Sequence, residues 1–258
     1  MFSKPVQFLK SIWTIICFEF SRIFLSARGW MYLFTFGLVW FFVLDYVVLN
    51  IATLLPQNSG WPVPELSGYW RVALYLFPAL CLLITANQTC SDRSRGTLRF
   101  LVLRASRDSI YLGRFISQML IQMLLVVVTV VTALVAAVVH DASVMVAALE
   151  SSFIIVINLF IVLIPITAMM SLLSLTVKST RQVMVLATLI WVMASAIIQG
   201  ISYYFPVFEV FELLIPGRQL SELADLPQAQ TLSLAYIPLL QGLVLLIVGR
   251  LLMQRASL

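Results

Sequence analysis

Long apolar runs alternate with short polar segments along the whole chain. Six of these runs approach or exceed the roughly 20 residues that a helix needs to cross a hydrocarbon core. They predict six transmembrane helices, at Trp30–Ile51, Val72–Cys90, Phe115–Val139, Ser152–Val177, Val183–Tyr204 and Leu232–Gly249. We therefore expect an all-α integral membrane protein, with residues 1–258 forming a single transmembrane domain.

The residues before the first predicted span have a different pattern. Residues 1–29 contain an apolar stretch, Val6–Ala27, which is interrupted by Lys10, Glu19 and Arg22. Apolar residues recur there at roughly helical spacing, which is typical of a helix that lies in the membrane surface. A cleaved signal peptide needs an uninterrupted apolar core and a small-residue cleavage motif. Glu19 and Arg22 interrupt the core, and no such motif follows, so we favour the interfacial helix.

The segment between the fifth and sixth predicted spans is too polar to cross a membrane and too apolar for an ordinary loop. Residues 205–231 predict one or two short helices that dip into the outer leaflet and return. The aromatic and proline residues that mark this outer re-entrant segment are Tyr204, Phe205, Phe208, Phe211 and Pro216.

Polar and basic residues are concentrated after the second predicted span, in residues 91–114. Gly96 permits a turn there, and Thr97 is expected to cap the helix that follows. Helical spacing places a group of apolar residues on one face of that helix, namely Leu98, Leu101, Val102 and Ala105. Another face carries Phe100, Arg104 and Arg107. The loop therefore predicts a short amphipathic helix that binds either a lipid surface or a protein groove.

Composition supports the membrane assignment. Hydrophobic residues make up 62% of the chain and charged residues 10%, and the mean hydropathy is +1.04. Soluble domains are about 45–50% apolar and about 25% charged. The sequence leaves no segment that resembles a soluble domain.

The distribution of charge predicts the orientation in the membrane. Short cytoplasmic loops retain Lys and Arg, whereas short translocated loops lack them. With both termini in the cytoplasm, only Arg71 and Arg218 among the basic residues fall outside. Most acidic residues fall on that outer side, namely Glu65, Asp141, Glu150, Glu209, Glu212, Glu222 and Asp225. Topology and anionic lipids then account for the pI of about 9.3, and no nucleic-acid partner is needed.

The sequence lacks the motifs of hydrolytic and metal-dependent enzymes. Cys17, Cys81 and Cys90 form no paired spacing, and the single histidine, His140, is expected in a loop. There is no G-x-S-x-G, H-E-x-x-H or G-x-x-x-x-G-K-[ST] motif. We therefore expect neither catalysis nor a metal site in this chain.

Asp45 is the clearest ionisable residue inside a predicted span. Arg71 opens the second predicted span on the same side, so a structural ion pair between Asp45 and Arg71, or solvation of Asp45 at the interface, is the favoured interpretation. Contact with a substrate, or proton relay, is the alternative. The uncharged polar residues within spans are expected to join helices by hydrogen bonds, and these are Gln118, Gln122, Asn158 and Gln199.

The stretch "DRSRGTLRFLVLRASRDSIYLGRF", residues 92–115, resembles the loop after the second span of ABC-2-type transporter permeases. The positions that match are Asp92, Gly96, Thr97, Leu98, Leu101, Ser106, Arg107, Leu112 and Gly113, with Arg114 in place of a lysine. The chain differs from that pattern at Ser94 and Arg99, and it lacks a proline near Ala105. Residues 172–192 are also similar to permeases linked with nitrous-oxide reductase maturation.

This resemblance implies a permease subunit of an ABC exporter in the inner membrane of a prokaryote. Such a subunit pairs with a second copy or a paralogue and with two cytoplasmic ATPase subunits, which bind the ATP and Mg²⁺. The short helix after the second span would be the coupling helix, which seats in a groove of the ATPase. The implied coupling residues are Arg93, Arg95, Gly96, Thr97, Leu98, Arg99, Phe100, Leu101, Arg104 and Arg107.

Charge complementarity to an acidic groove is the role expected for the arginines of this set, and buried contact is the role expected for Leu98, Phe100 and Leu101. An ATPase-independent secondary transporter or channel is the alternative function. It predicts internal repeats and intramembrane charges at corresponding positions of both halves, and Asp45 has no charged counterpart in the fourth span. A purely structural membrane scaffold is a third class, which needs no large cytoplasmic partner.

Overall fold

The computed structural model describes residues 4–25, 27–44, 60–177, 179–204 and 212–255. Within these ranges the regular secondary structure is helical and contains no strand. The helices are α1 (Lys4–Phe24), α2 (Ala27–Phe42), α3 (Pro64–Thr85), α4 (Cys90–Ser94), α5 (Thr97–Arg104), α6 (Arg107–His140), α7 (Met145–Thr176), α8 (Thr180–Tyr204), α9 (Leu220–Asp225) and α10 (Tyr236–Arg255). Short 3₁₀ helices cover Ala142–Val144 and Gln228–Leu234.

Five helical segments in the described part of the chain are long and apolar enough to cross a membrane. They are Pro64–Thr85, Arg107–His140, Ala142–Thr176, Thr180–Tyr204 and Gln228–Arg255. They correspond to the second through sixth predicted spans. Helix α2 covers the beginning of the first predicted span, whose residues from 45 onward lie outside the described residues.

The boundaries of several spans differ from those predicted. The second was expected at Val72–Cys90, but α3 begins at Pro64, which occupies the first turn where a missing N–H costs nothing. The hydropathy pattern did not reveal this start, because the first turns of α3 carry polar residues. Helix α3 ends at Thr85. The chain turns there, and the backbone N–H of Gln88 donates to the Thr85 carbonyl at 3.1 Å.

The sixth span was expected at Leu232–Gly249, but α10 runs from Tyr236 to Arg255. Local hydrogen bonds hold the preceding residues in a 3₁₀ helix, since the Thr231 hydroxyl donates to the Gln228 carbonyl at 2.8 Å. At the other end the helix continues past Gly249, because Arg250 and Gln254 have partners on α6.

Helix α6 is the longest element, and it begins well before the third predicted span. Ser106 caps it, because the Ser109 amide donates to the Ser106 hydroxyl at 3.1 Å. Its 34 residues extend roughly 51 Å, which exceeds the hydrocarbon thickness of about 30 Å. Part of α6 therefore extends beyond the hydrocarbon thickness, and its first turns connect the membrane bundle to the preceding loop.

Helix α7 lies at the centre of the bundle and packs against α3, α6, α8 and α10. The core between these helices includes Tyr69 and Trp70 of α3, which are fully buried. Their polar atoms are satisfied: Tyr69 Oη lies 2.9 Å from Thr129 Oγ1, and Trp70 Nε1 donates to the Leu223 carbonyl at 3.1 Å. Tyr69 and Trp70 thus fill this part of the core without leaving an unpaired donor.

Glycines allow α10 to approach its neighbours closely. A Cβ atom at Gly242 would lie 2.3 Å from Ile164 Cγ2 of α7, and one at Gly249 would lie 2.0 Å from Tyr111 Oη of α6. Both distances are shorter than non-bonded atoms tolerate. The two glycines, seven residues apart on one helix face, therefore seat α10 against the bundle.

Candidate functional site

The loop between α3 and α6 forms a helical pair, α4 and α5, at one end of the bundle. Gly96 joins them with a φ of 73°, the left-handed conformation that favours glycine. This confirms the predicted turn. The predicted cap is wrong, because Thr97 is the first helical residue and its hydroxyl instead donates back to the Asp92 carbonyl at 3.2 Å.

The inner face of α5 packs against the chain itself. Leu98 is 2% exposed and lies in a cluster with Ile110, Tyr111, Leu175 and Met253. The other residues that were predicted to share its face pack against the same cluster, and these are Leu101, Val102 and Ala105. The predicted apolar face is therefore confirmed. Leu98 is thus already buried against its own chain, and the contact with a partner that was expected of it stays a prediction.

The outer face of α5 carries exposed apolar and basic residues together. Phe100 is 71% exposed and Leu103 is 83% exposed. The exposed basic residues beside them are Arg95, Arg99 and Arg104. We call these five residues the docking surface. Sequence analysis missed Leu103, although its spacing of three residues from Phe100 places the two side chains on neighbouring parts of the helix surface.

Two arginines of the predicted coupling set contact their own chain. The Arg93 guanidinium donates to the Leu175 carbonyl at the end of α7. The Arg107 guanidinium donates to the Gln254 carbonyl at 2.6 Å and to the Met253 carbonyl at 3.4 Å. These contacts anchor the loop on α7 and α10, which separates Arg93 and Arg107 from the docking surface.

A cluster of four charged residues lies behind the helical pair, and we call Glu19, Arg22, Asp92 and Arg114 the charge cluster. The side chains of Glu19 and Arg114 are 2% and 4% exposed. Arg114 pairs with Asp92 and lies 3.7 Å from Glu19 Oε1, and it also donates to the Gln88 carbonyl at 2.9 Å. Near the start of α6, Arg114 therefore contacts α1, α4 and the turn that joins α3 to α4.

Arg22 completes the charge cluster from the surface. Its guanidinium lies 2.8 Å from Glu19 Oε2 and 3.7 Å from Asp92 Oδ2. Burial raises the pKa of Glu19 above its ordinary value of 4.5, although Arg22 and Arg114 oppose this shift. Among the described residues Glu19 Oε2 accepts no well-oriented hydrogen bond, so its charge is stabilised by proximity to cations.

The sequence contained one signal for the charge cluster. An acidic residue in a largely apolar helix needs a cationic partner, because an unpaired buried charge is costly. Glu19 interrupts the N-terminal apolar stretch and thus indicated that a partner exists. The sequence did not indicate that the partner is Arg114, which lies far along the chain.

A second group of ionic contacts fixes α10 to the start of α6. Arg250 Nη2 lies 2.6 Å from Asp108 Oδ2, and Gln254 Nε2 donates to Asp108 Oδ1 at 3.0 Å. This contact and the charge cluster lie at the same end of α6, which we call the arginine-rich end.

The remaining candidate ionic residues lie at the opposite end of the bundle. Arg71 lies 3.8 Å from Asp225, and Arg218 Nε lies 2.7 Å from Glu212. Asp45, the predicted partner of Arg71, lies outside the described residues. The exposed Asp225 therefore offers Arg71 a partner on α9, and an exposed pair of this kind contributes little stability.

The segment between α8 and α10 is described only in part. Tyr204 is exposed at the end of α8, and the Pro216 carbonyl accepts a hydrogen bond from Trp191 Nε1 at 3.0 Å. Phe205, Phe208 and Phe211 lie outside the described residues. The short helix α9 lies within the predicted outer segment, and the 3₁₀ helix at Gln228–Leu234 begins in it.

Buried polar side chains join the helices of the core. Asn158 Nδ2 donates to Thr231 Oγ1 at 2.8 Å, and the Thr167 hydroxyl donates to Gln122 Oε1 at 3.1 Å. The predicted joining role is confirmed for Asn158 and Gln122. Gln118 is buried, but its Oε1 accepts no hydrogen bond from the described residues. The side chain of Gln199 lies outside the described part.

Two of the surface grooves are open and apolar. One of about 510 Å³ lies between α1 and Leu120 of α6, and another of about 480 Å³ follows α2. Across the described ranges no group of three or more His, Cys, Asp or Glu side chains is arranged to hold a metal. The docking surface and the charge cluster behind it thus offer the clearest basis for a functional assignment.

A family model described as "Protein of unknown function (DUF2705)" matches residues 15–255. A comparison with curated proteins finds no match.

Proposed function

The chain belongs to the DUF2705 family, and we propose that it is the transmembrane permease subunit of an ABC exporter. In this proposal a cytoplasmic ATPase hydrolyses ATP, and the permease converts the closure of the ATPase into movement of its helices. The observation that carries the proposal is the docking surface, an exposed basic and apolar helix face at the end of a membrane bundle.

The composition of the docking surface favours a protein partner. Phe100 and Leu103 project from the chain, and large apolar side chains at the centre of an interface contribute much of its binding energy. The surrounding Arg95, Arg99 and Arg104 favour a partner with acidic residues around an apolar recess.

The arrangement of charge supports the orientation that transport requires. The docking surface, the charge cluster and the Arg250–Asp108 contact lie at the arginine-rich end, whereas Arg71 and Arg218 lie at the other. The positive-inside rule then places the docking surface in the cytoplasm, where ATP is available. Both termini lie in the cytoplasm in this proposal, with α2 as the described part of a sixth span in the inner membrane of a prokaryote.

A second permease copy or a paralogue is part of the proposal. Helix α8 is almost uncovered by the rest of the described chain, and its exposed apolar side chains include Val185, Leu189, Trp191, Val192 and Ile197. Two ATPase subunits, which bind ATP and Mg²⁺, would then engage the docking surfaces of the pair. ATP drives transport only if it binds the closed ATPase more tightly than the open one.

Affinity purification tests this function. The tagged full chain is purified from native membranes in mild detergent, and ATP hydrolysis in the eluate is measured. We expect the wild-type chain to retain an ATPase and the Arg99→Glu/Arg104→Glu variant to lose it. Two reversals at about 1.4 kcal/mol each weaken binding roughly a hundredfold.

Arg181→Glu is the matched control, because Arg181 is exposed at the start of α8 and is not one of the five residues of the docking surface. This variant should retain the ATPase. Equal ATPase activity with all three chains would exclude the docking surface as the site of attachment. An inserted wild-type chain that retains no ATPase would instead favour the ATPase-independent transporter or channel.

A further inference from the structure

The charge cluster connects three elements that are far apart in the sequence. Glu19 belongs to α1, Asp92 to α4 and Arg114 to α6. Arg114 reaches the first two through its guanidinium and also holds the Gln88 carbonyl, just before α4. A single buried cation thus contacts both α1 and the helical pair that carries the docking surface.

The chemistry of the cluster indicates that its members act together. Arg114 is almost fully buried, and a buried guanidinium must keep its anionic partners, because an uncompensated buried charge destabilises a protein by several kcal/mol. Glu19 is buried to a similar degree. Arg114 pairs with Glu19 of α1 and with Asp92 of α4, so separation of these two helices would leave a charge without its partner. The separated state is therefore disfavoured.

Packing beside the cluster is close. A Cβ atom at Gly113, next to Arg114, would lie 3.1 Å from Ile15 Cγ2 of α1. Contact between α1 and α6 is therefore tight one turn before Glu19. Arg22 spans the remaining gap, since its guanidinium lies near both Glu19 and Asp92.

From these contacts we infer that Glu19 and Arg114 form an ionic clasp, which makes α1 move with the α4–α5 pair as one unit. Glu19, Arg22 and Arg114 are positioning residues in this arrangement. A displacement of the docking surface would be transmitted directly to α1, in addition to the core helices. The clasp depends only on the contacts described, whereas its role in transmission rests on the proposed function.

Distance measurements between spin labels test the clasp. Cys17 on α1 is exposed, whereas Cys81 and Cys90 are buried, so Cys17 provides one label. The second label is attached through Leu103→Cys on α5. The full chain is reconstituted in lipid nanodiscs, and the distribution of label distances is measured by pulsed electron paramagnetic resonance.

We expect a single narrow distribution in the otherwise unchanged chain. Glu19→Gln and Arg114→Gln should each broaden it and extend it to longer distances. Arg71→Gln is the control, because it removes an ionic contact at the opposite end of the bundle, and it should leave the distribution unchanged. Narrow and unchanged distributions in both cluster variants would overturn the clasp.

A second measurement covers the case in which Arg114→Gln fails to fold. Hydrogen exchange is compared between the wild-type chain, Glu19→Gln and Arg22→Gln, since Arg22 is partly exposed and its loss leaves Arg114 intact. Faster exchange in residues 12–24 together with residues 90–104 supports the clasp. Faster exchange in α1 alone, or in neither segment, overturns it.

These measurements use the chain without an ATPase. A negative result therefore removes the clasp and leaves the capture of an ATPase to be decided by the purification experiment. Conversely, a chain that captures no ATPase can still show the clasp, so the two failures are distinguishable.

Discussion

Arg114 holds three acceptors from a buried position, and its value to the fold depends on all of them. Glu19 and Asp92 neutralise its charge, while the Gln88 carbonyl accepts a further hydrogen bond. Two acidic and two basic residues thus balance one another in the charge cluster. This balance explains how an apolar N-terminal helix tolerates a carboxyl group that is removed from solvent.

Glu19 should make the stability of the protein depend on pH. Its pKa is raised in the folded state by burial, so the folded state binds the proton more tightly than the unfolded state. Stability that this group contributes is fully present below the unfolded value of 4.5. It is lost as the pH rises through the folded pKa, by at most about 1.4 kcal/mol per pH unit.

Melting temperatures of the wild-type chain and of Glu19→Gln, measured in detergent from pH 4.5 upward, test the effect. The stability of the wild-type chain relative to the variant should fall as the pH rises. A difference that grows with pH would show instead that attraction to Arg22 and Arg114 outweighs the cost of burial. A constant difference would show that Glu19 does not change its proton affinity on folding.

At the scale of elements, the position of α10 depends on two small residues. Gly249→Ala should destabilise the protein by about 1–3 kcal/mol, because the added methyl group collides with the ring of Tyr111 and forces the helices apart. The effect should appear as a lower melting temperature. Gly200→Ala is the control, because a Cβ atom there meets nothing within 4 Å, and it should not lower the melting temperature.

The existence of the helices was predictable, but several of their ends were not. Apolar runs indicated α6, α7 and α8, because lipid-crossing segments must be long and must satisfy their own backbone hydrogen bonds. The start of α3 at Pro64 and the end of α10 at Arg255 depend on polar residues. Arg250 and Gln254 of α10 have their partner, Asp108, on α6, and hydropathy carries no information about such contacts.

The candidate site was also predictable only in part. Helical spacing correctly grouped Leu98 with Leu101, but it did not show which face turns toward the chain. Tertiary packing against Tyr111 and Met253 decides this. Leu98 therefore positions α5, whereas Phe100 and Leu103 remain exposed. The contacts of Glu19 with Arg114 were not predictable, since they join residues that are close only in the folded bundle.

At the scale of the whole molecule, charge and packing divide the protein into two distinct ends. The arginine-rich end carries a helical pair that is anchored on α1, α6, α7 and α10 by ionic and hydrogen-bonding contacts. The opposite end carries short helices and exposed ion pairs. Such a molecule has a firmly supported surface for a partner at one end, as the proposed permease function requires.

Site-specific photocrosslinking at the docking surface tests the central proposal most directly. A photoreactive phenylalanine analogue replaces Phe100 in the full chain in its native cells, and a matched chain carries it at Tyr203, which is exposed at the opposite end. Irradiation should join the chain to a nucleotide-binding subunit from position 100 and not from position 203. A correctly inserted chain that forms no adduct with a nucleotide-binding protein from position 100 would contradict the proposed function.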